Sequence, residues 1–319
     1  MPRPLPVERV LRDRSAYRRL VFRRLLYTQL PKILAYNGLH REQRPRVFVA
    51  RMGGIGDLTY AFAVVERLAE RYAVDLGTGP PPYSTFCRRN PNVRKVFAPF
   101  VYKATKTWHA TLVRRLLGPF YERIVLLDTL DRDWWDRGKH VSTVFAEAAG
   151  VAPPDTGRVY LSGPDDENAE VYLRRSGLDA FIYVAQVIHH HRPWRSWPLE
   201  YFHRLYHSMN RRFRLRILVD TAGSDETEVP WFCERLDRVD IMTAAAIIRR
   251  AKLFVGLDGG LAHVAAALGT PTVIVHLGYP ADWCRALGPN VSVVTQLQPF
   301  DDPANTSPEK VFNTVCASV

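Results

Sequence analysis

The stretch RVFVARMGGIGDLTYAFAVVERLAERY, residues 46–72, constrains the fold more than any other. A short β-rich run over 46–51 meets the turn Gly53-Gly54-Ile55-Gly56, and helical periodicity follows over 58–71. A strand that passes through a glycine turn into a helix returns to pair in parallel, which is the βαβ unit. The same alternation recurs. AVDLGTG (73–79) reads as a second strand, closed by Pro80-Pro81-Pro82. NVRKVFAPF adds an extended piece after Asn90-Pro91, and YERIVLLDTL (121–130) reads as a buried strand.

Residues 151–168, VAPPDTGRVYLSGPDDEN, are rich in Pro, Gly and Asp and mark a domain boundary. A second series then begins. Strands are expected at 181–187, 214–220, 252–257 and 272–277. Helices are expected from about Pro198, near 225–236, at 243–251 and at 260–268. The expected fold class is therefore α/β, with two Rossmann-like doubly wound domains facing a cleft. The expected division is a basic arm at 1–45, an N-terminal domain at 46–162 and a C-terminal domain at 163–319. No short-period repeat is visible.

Charge separates the arm from the rest. Residues 1–46 hold twelve Arg/Lys and three Asp/Glu, so +9 of the chain's +12 lies there. Within residues 7–30, Val10, Tyr17, Val21 and Leu25 can share one helical face, with Arg12, Arg19 and Arg23 largely elsewhere. Two readings stand together: a helix lying on an anionic leaflet, and a helix packed on the body with its arginines in water. Nucleic-acid binding ranks below both, because no nucleic-acid motif accompanies the charge. No apolar run approaches the ~20 residues of a membrane span, and arginines interrupt any secretory h-region. The four cysteines, Cys87, Cys233, Cys284 and Cys316, are far apart and form no CxxC pair. That fits a reducing, cytoplasmic setting and argues against a cysteine metal site.

Three segments carry chemistry. FVGLDGGLAHVAAALGTP (254–271) ends a strand in Asp258-Gly259-Gly260 and opens a helix. First-turn N–H groups beyond a strand's carboxyl end can hold an anion. The plainer reading makes Asp258 an N-cap and the glycines a bare turn. GGIGDL (53–58) is not GxGxxG; Asp57 is either a cap or a general base. HHHRPWRSWPLEYF (189–202) offers Arg192 and Arg195 as forks for phosphate oxygens, beside Trp194 and Trp197. The plainer alternative is packing tryptophans and solvated arginines. The three histidines lack acidic or cysteine partners at ligand spacing, so no metal site is expected.

In chain order the segments resemble glycosyltransferase family nine, the heptosyltransferase-like group with the GT-B fold. Gly56-Asp57-Leu58 is similar to its Gly-Asp motif. Arg195-Ser196-Trp197-Pro198 is similar to its Lys-x-Trp-Pro. Asp258-Gly259-Gly260-Leu261-Ala262-His263 is similar to its Asp-Thr/Ser-Gly-x-x-His loop, and Ala267 to Pro271 and Leu277-Gly278 continue the match. Arg195 stands for the usual lysine, Gly259 for a hydroxyl residue and Pro280 for a common threonine.

The resemblance, which runs from about Arg46 to the C-terminus, implies an inverting, metal-independent glycosyltransferase. Asp57 would be the base and Arg195 would meet the donor phosphates. Asp258, Gly259, Gly260, Leu261 and His263 would form the phosphate loop, with Glu226 near the donor ribose and Gly54, Gly56 and Arg192 shaping the loops. A nucleotide-diphosphate sugar would be co-substrate, with no cofactor. The acceptor would be a glycan or glycolipid of lipopolysaccharide or other envelope assembly. The protein would then be cytoplasmic, peripheral on the inner membrane face through its arm. A same-fold nucleotide-sugar epimerase and a non-catalytic nucleotide-sugar-binding module are the alternatives.

Overall fold

The computed structural model describes residues 23, 25–40, 42–100, 107–127, 138–186, 192–221, 228–236 and 238–319. The chain divides into two compact units. One comprises Met1–Gly53, Val65–Asp133 and Ala148–Val151; the other comprises Gly54–Val64, Trp134–Glu147 and Ala152–Val319.

The first unit carries helix α1 (Leu30–Leu39), strand β1 (Arg46–Arg51) and the C-terminal end of helix α2 (Ile55–Ala69). Strand β2 (Ala73–Thr78), helix α3 (Tyr83–Cys87), strand β3 (Val93–Phe97), helix α4 (Thr107–Leu117) and strand β4 (Arg123–Leu126) follow. The sheet order is β3-β2-β1-β4, all parallel. The reversal of order beside β1 makes the end of that strand the sheet's switch point, and the chain leaves it into the glycine turn.

Helix α1 belongs to this core. Ile33 is fully buried with Phe48, Phe97, Phe100 and Tyr121. Asn37 is the polar anchor. Its Nδ2 donates to Tyr121 Oη at 3.1 Å, and its Oδ1 accepts from Arg46 Nη1 at 3.0 Å and Arg94 Nη2 at 2.7 Å. The same Arg94 holds Asp75, a carboxylate wholly buried in β2, through Nε at 2.9 Å, and Tyr121 Oη donates to it at 2.7 Å. A buried charge needs such complete pairing. The C-terminal end of the basic arm is thus docked on the sheet. The helical periodicity expected over 7–30 lies outside the described residues, apart from 23 and 25–30.

The second unit starts with the N-terminal end of α2, and helix α5 (Val141–Ala149) belongs mostly to it. Then come helix α6 (Gly163–Arg175), strand β5 (Phe181–Ala185), helix α7 (Leu199–Arg212), strand β6 (Arg216–Asp220) and the short strand β7 (Glu234–Arg235). Helix α8 (Ile241–Arg250), strand β8 (Leu253–Leu257), helix α9 (Gly260–Ala267), strand β9 (Thr272–His276), helix α10 (Ala281–Cys284), strand β10 (Val291–Thr295) and helix α11 (Pro308–Ser318) complete it. The parallel order is β10-β9-β8-β5-β6-β7. The switch point lies between β5 and β8. The carboxyl end of β8 is Leu257, followed directly by Asp258. The central strands are buried on both faces, which is why they read as continuous apolar runs.

Three element expectations change. Residues 228–236 form a turn and β7 rather than a helix. Pro230 explains this, since a helix interior cannot accept its missing N–H and its ring. Helix α2 begins at Ile55, inside the glycine turn, rather than at Leu58. Helix α8 begins at Ile241 because Asp240 accepts from Met242 N and Thr243 N.

Candidate active site

Two helix N-termini meet in the second unit, and glycines let them do so. Gly54 has φ +82°, and a Cβ there would lie 2.5 Å from Asp57 Oδ2, so the carboxylate folds back over the glycine. A Cβ on Gly56 would lie 2.6 Å from Cδ2 of His263. A Cβ on Gly260 would lie 2.9 Å from Cβ of Ile55. The start of α2 therefore presses on the start of α9. Asp57 and His263 both lie against the Gly54–Gly56 turn. One turn along α2, the Tyr60 ring stands edge-on to His263 at 5.5 Å and to His140 at 5.3 Å.

Asp258 does not cap α9. The N-cap is Gly259, and no side chain caps that terminus. The Asp258 carboxylate turns instead to Arg195, whose Nη2 donates to Oδ2 at 2.8 Å and to the Asp258 carbonyl at 3.0 Å. Asp258 Oδ1 lies 3.5 Å from His263 Nε2 and 3.7 Å from His276 Nδ1. Burial pushes this carboxyl up. The His263 contact, with the charges of His276 and Arg195, outweighs burial and brings it down to about 2. No side chain takes up the first-turn N–H groups of α9, a helix terminus whose dipole favours negative charge.

Arg195 is aimed by its aromatic neighbours. Trp197 is buried and its Nε1 donates to Thr306 O at 2.7 Å. Trp194 lies over Gly278 (φ +88°), where a Cβ would come within 2.6 Å of the indole, and packs edge-on to Tyr279 and Phe300. The Arg195 guanidinium sits 5.6 Å from the Tyr279 ring. Trp197 is thus a packing anchor, as its plainer reading had it. Arg195 is paired rather than solvated, and Arg192 is exposed.

The structure brings together Asp57, Gly54, Gly56, Asp258, Gly259, Gly260, Leu261, His263 and Arg195. Glu226 and the run His189 to His191 lie outside the described residues. Sequence reasoning missed Tyr60, His140, His276 and Cys284. Tyr60 Oη donates to Arg285 O at 3.0 Å and accepts from Leu287 N at 2.9 Å; burial pushes its phenol up. His140 Nε2 donates to the same Arg285 carbonyl at 2.9 Å while Nδ1 accepts from Ser142 N at 3.1 Å. Burial pushes His140 down to about 4. The available signal for His276 was a polar residue closing the apolar strand TVIVH.

The family model for glycosyltransferase family 9 (heptosyltransferase) matches residues 143–310. The chain belongs to glycosyltransferase family 9. The match spans Arg195 and the 258–263 loop and stops short of Asp57. Among solved structures the chain is similar to E. coli ADP-heptose LPS heptosyltransferase II, with TM-score 0.65 and 16% identity over 85% of this chain and 98% of that one. It is also similar to the glycosyl transferase family 9 protein from Veillonella parvula DSM 2008, with TM-score 0.63 and 12% identity over 87% and 98%. E. coli heptosyltransferase WaaC with ADP aligns with TM-score 0.57 and 16% identity over 86% and 100%. At these identities the likeness is one of fold, an α/β fold with parallel sheets of GT-B type. No curated protein matches the chain. As a family 9 member the protein is a glycosyltransferase.

Proposed function

We propose that this family 9 enzyme transfers a sugar, a heptose in the reading favoured here, from a nucleotide diphosphate to an acceptor hydroxyl, with inversion. The observation that carries the proposal is the Arg195–Asp258 pair beside the uncapped start of α9, at the switch point of the second sheet. Arginine, His263 and oriented amides together suit a diphosphate. Asp57 removes the acceptor proton as the hydroxyl oxygen attacks the anomeric carbon. The bond from that carbon to the diphosphate oxygen breaks, and the nucleoside diphosphate leaves with the electron pair. A single displacement inverts the anomeric centre. Arg195 and the Gly259–Leu261 amides take up the leaving charge, so no divalent ion is needed on the diphosphate.

In this reading residues 163–319 hold the donor and residues 46–162 present the acceptor, a glycan or glycolipid of envelope assembly. The basic arm would bring the enzyme to an anionic inner membrane face from the cytoplasm. Among the described residues, no helix is long and apolar enough to cross a membrane.

The test has two arms. A thermal-shift panel of ADP-, GDP-, UDP- and dTDP-sugars should show one nucleotide raising the melting temperature well above the others. With that donor, Asp57→Ala should abolish transfer and keep nucleotide affinity. Turnover at the unmutated rate in Asp57→Ala removes Asp57 as the base.

A further inference from the structure

Behind the phosphate loop, the folded chain assembles three ligand types that its sequence keeps apart. The loop's Asp258, the last residue of β9 (His276) and the last residue of α10 (Cys284) each offer one ligand atom, and these atoms lie within 4.8 Å of one another. Asp258 and His276 are 5% and 2% exposed.

The hydrogen bonding of His276 fixes what it presents. Its Nε2 lies 3.0 Å from the Tyr279 carbonyl, which can only accept, so Nε2 carries the hydrogen. In the imidazole, Nδ1 is then a lone pair. It points toward Asp258 Oδ1, another acceptor, at 3.7 Å. Neither buried atom has a hydrogen-bond partner in the structure. Asp258 Oδ1 also has His263 Nε2 at 3.5 Å, but the Nδ1 lone pair faces Oδ1 with no hydrogen between them, an arrangement that a proton or a metal ion on Nδ1 relieves.

We propose that Asp258, His276 and Cys284 bind one borderline transition-metal ion, of the Zn2+ class, as a structural tie between the phosphate loop, β9 and α10. Oxygen, nitrogen and sulfur together suit such an ion. Bonds of about 2.0 Å to N and O and 2.3 Å to S set tetrahedral ligand pairs roughly 3.3–3.5 Å apart, so the 3.7 Å pair needs to close only slightly. The surroundings match those of bound metals. His276 gives its far N–H to a carbonyl, and the second carboxylate oxygen of Asp258 is held by Arg195. The thiol proton of Cys284 leaves for solvent as the ion binds. The ion lies on the carboxylate of Asp258, while the amides of α9 stay open to the donor.

The test uses the full chain, stripped with EDTA and titrated with Co2+. Binding of one equivalent with tetrahedral visible bands and a thiolate-to-cobalt charge-transfer band is expected, and Zn2+ should displace it. The thiolate band separates this site from adventitious binding at the His189 to His191 run, which has no sulfur. Cys284→Ser should lose the band, while Cys233→Ser and Cys316→Ser keep it. His276→Gln should weaken Co2+ by more than about tenfold, which keeps the test sound if Cys284→Ser folds poorly. Absence of a thiolate band in the unmutated protein, or its survival in a folded Cys284→Ser, overturns the proposal. Asp57→Ala should bind the ion normally, so this result stands apart from the fate of the proposed base.

Discussion

Gly56→Ala probes the contact on which the site is built. A Cβ at this position would lie 2.6 Å from Cδ2 of His263, 3.0 Å from Cγ and 3.2 Å from Nε2. Carbon atoms pack at about 3.5–4.0 Å, so the ring must retreat by about 1 Å. It has little freedom to do so, with Tyr60 edge-on to it and Asp258 Oδ1 3.5 Å from Nε2. Overpacking of this kind costs about 1–3 kcal/mol. Helix propensity acts the other way, since alanine is favoured over glycine by up to about 1 kcal/mol. The expected net destabilisation is about 1–2 kcal/mol, read as a lower urea midpoint with unchanged slope. The decisive comparison is a double-mutant cycle. In a His263→Ala background the ring is gone, and Gly56→Ala should become neutral or slightly stabilising, a coupling of about 2 kcal/mol. Donor affinity should fall in Gly56→Ala alone, because the displaced ring is the one beside the loop proposed to hold the donor phosphates. An equal cost in both backgrounds refutes the reasoning, as does no cost in either.

Other expectations follow from the same geometry. Residue 259 has an extended backbone, and a Cβ there would meet only Leu257 O at 3.8 Å. Gly259→Ser should therefore melt like the unmutated chain while binding the donor roughly tenfold more tightly, from one charge-assisted hydrogen bond; a donor titration checks it. Arg94→Met leaves the Asp75 carboxylate buried with only Tyr121 donating, and should cost about 3–5 kcal/mol in urea unfolding. Asp75→Asn in the same chain should return part of that. His140 is held at about 4 against an ordinary 6.5. Its folded value is the lower one, so between these limits the unfolded chain binds more protons. Its contribution is complete above pH 6.5 and declines as pH falls toward 4, by roughly 2 kcal/mol after allowance for partial exposure. His140→Gln should flatten that part of the stability–pH curve.

How far the chain could be read depended on whether each residue's role was local. Strands β1, β5, β8 and β9 were legible because both faces are buried and their sequences are unbroken apolar runs. The turn-to-helix steps at Gly54 and Gly259 were legible from glycine chemistry alone. Asp75 shows the limit. A charged residue in mid-strand has no pattern; its partners are Arg94 on β3 and Tyr121 just before β4, and Asn37 of α1 bonds to both of them. Pro230 shows a different limit: a helix expected near 225–236 gives way because the proline sits inside it. His276 and Cys284 were unreadable for a different reason. His276 closes an apolar strand and Cys284 ends a short helix, and only the order of β8 and β9 and the placement of α10 set them beside Asp258.

The Arg195–Asp258 pairing removes the N-cap reading of Asp258, and its removal bears on the departures from the family pattern. A carboxylate acting as N-cap would have taken up one or two of the first N–H groups of α9 and placed a negative charge at that terminus. Gly259 prevents this by taking the cap position with no side chain to offer, and Asp258 turns to Arg195, 63 residues earlier. The glycine that replaces the family's hydroxyl therefore removes one contact and keeps the helix terminus uncovered. The arginine that replaces the lysine gains a geometric role in exchange. One of its nitrogens binds both the carbonyl and the carboxylate of Asp258, and a planar fork has further N–H groups left over. A lysine at 195 has one ammonium for both tasks. Arg195→Lys should accordingly cost more in donor affinity here than its conservative charge implies, and the loss should show in the donor KM before it shows in kcat. An unchanged KM in that variant would mean that Arg195 serves Asp258 alone.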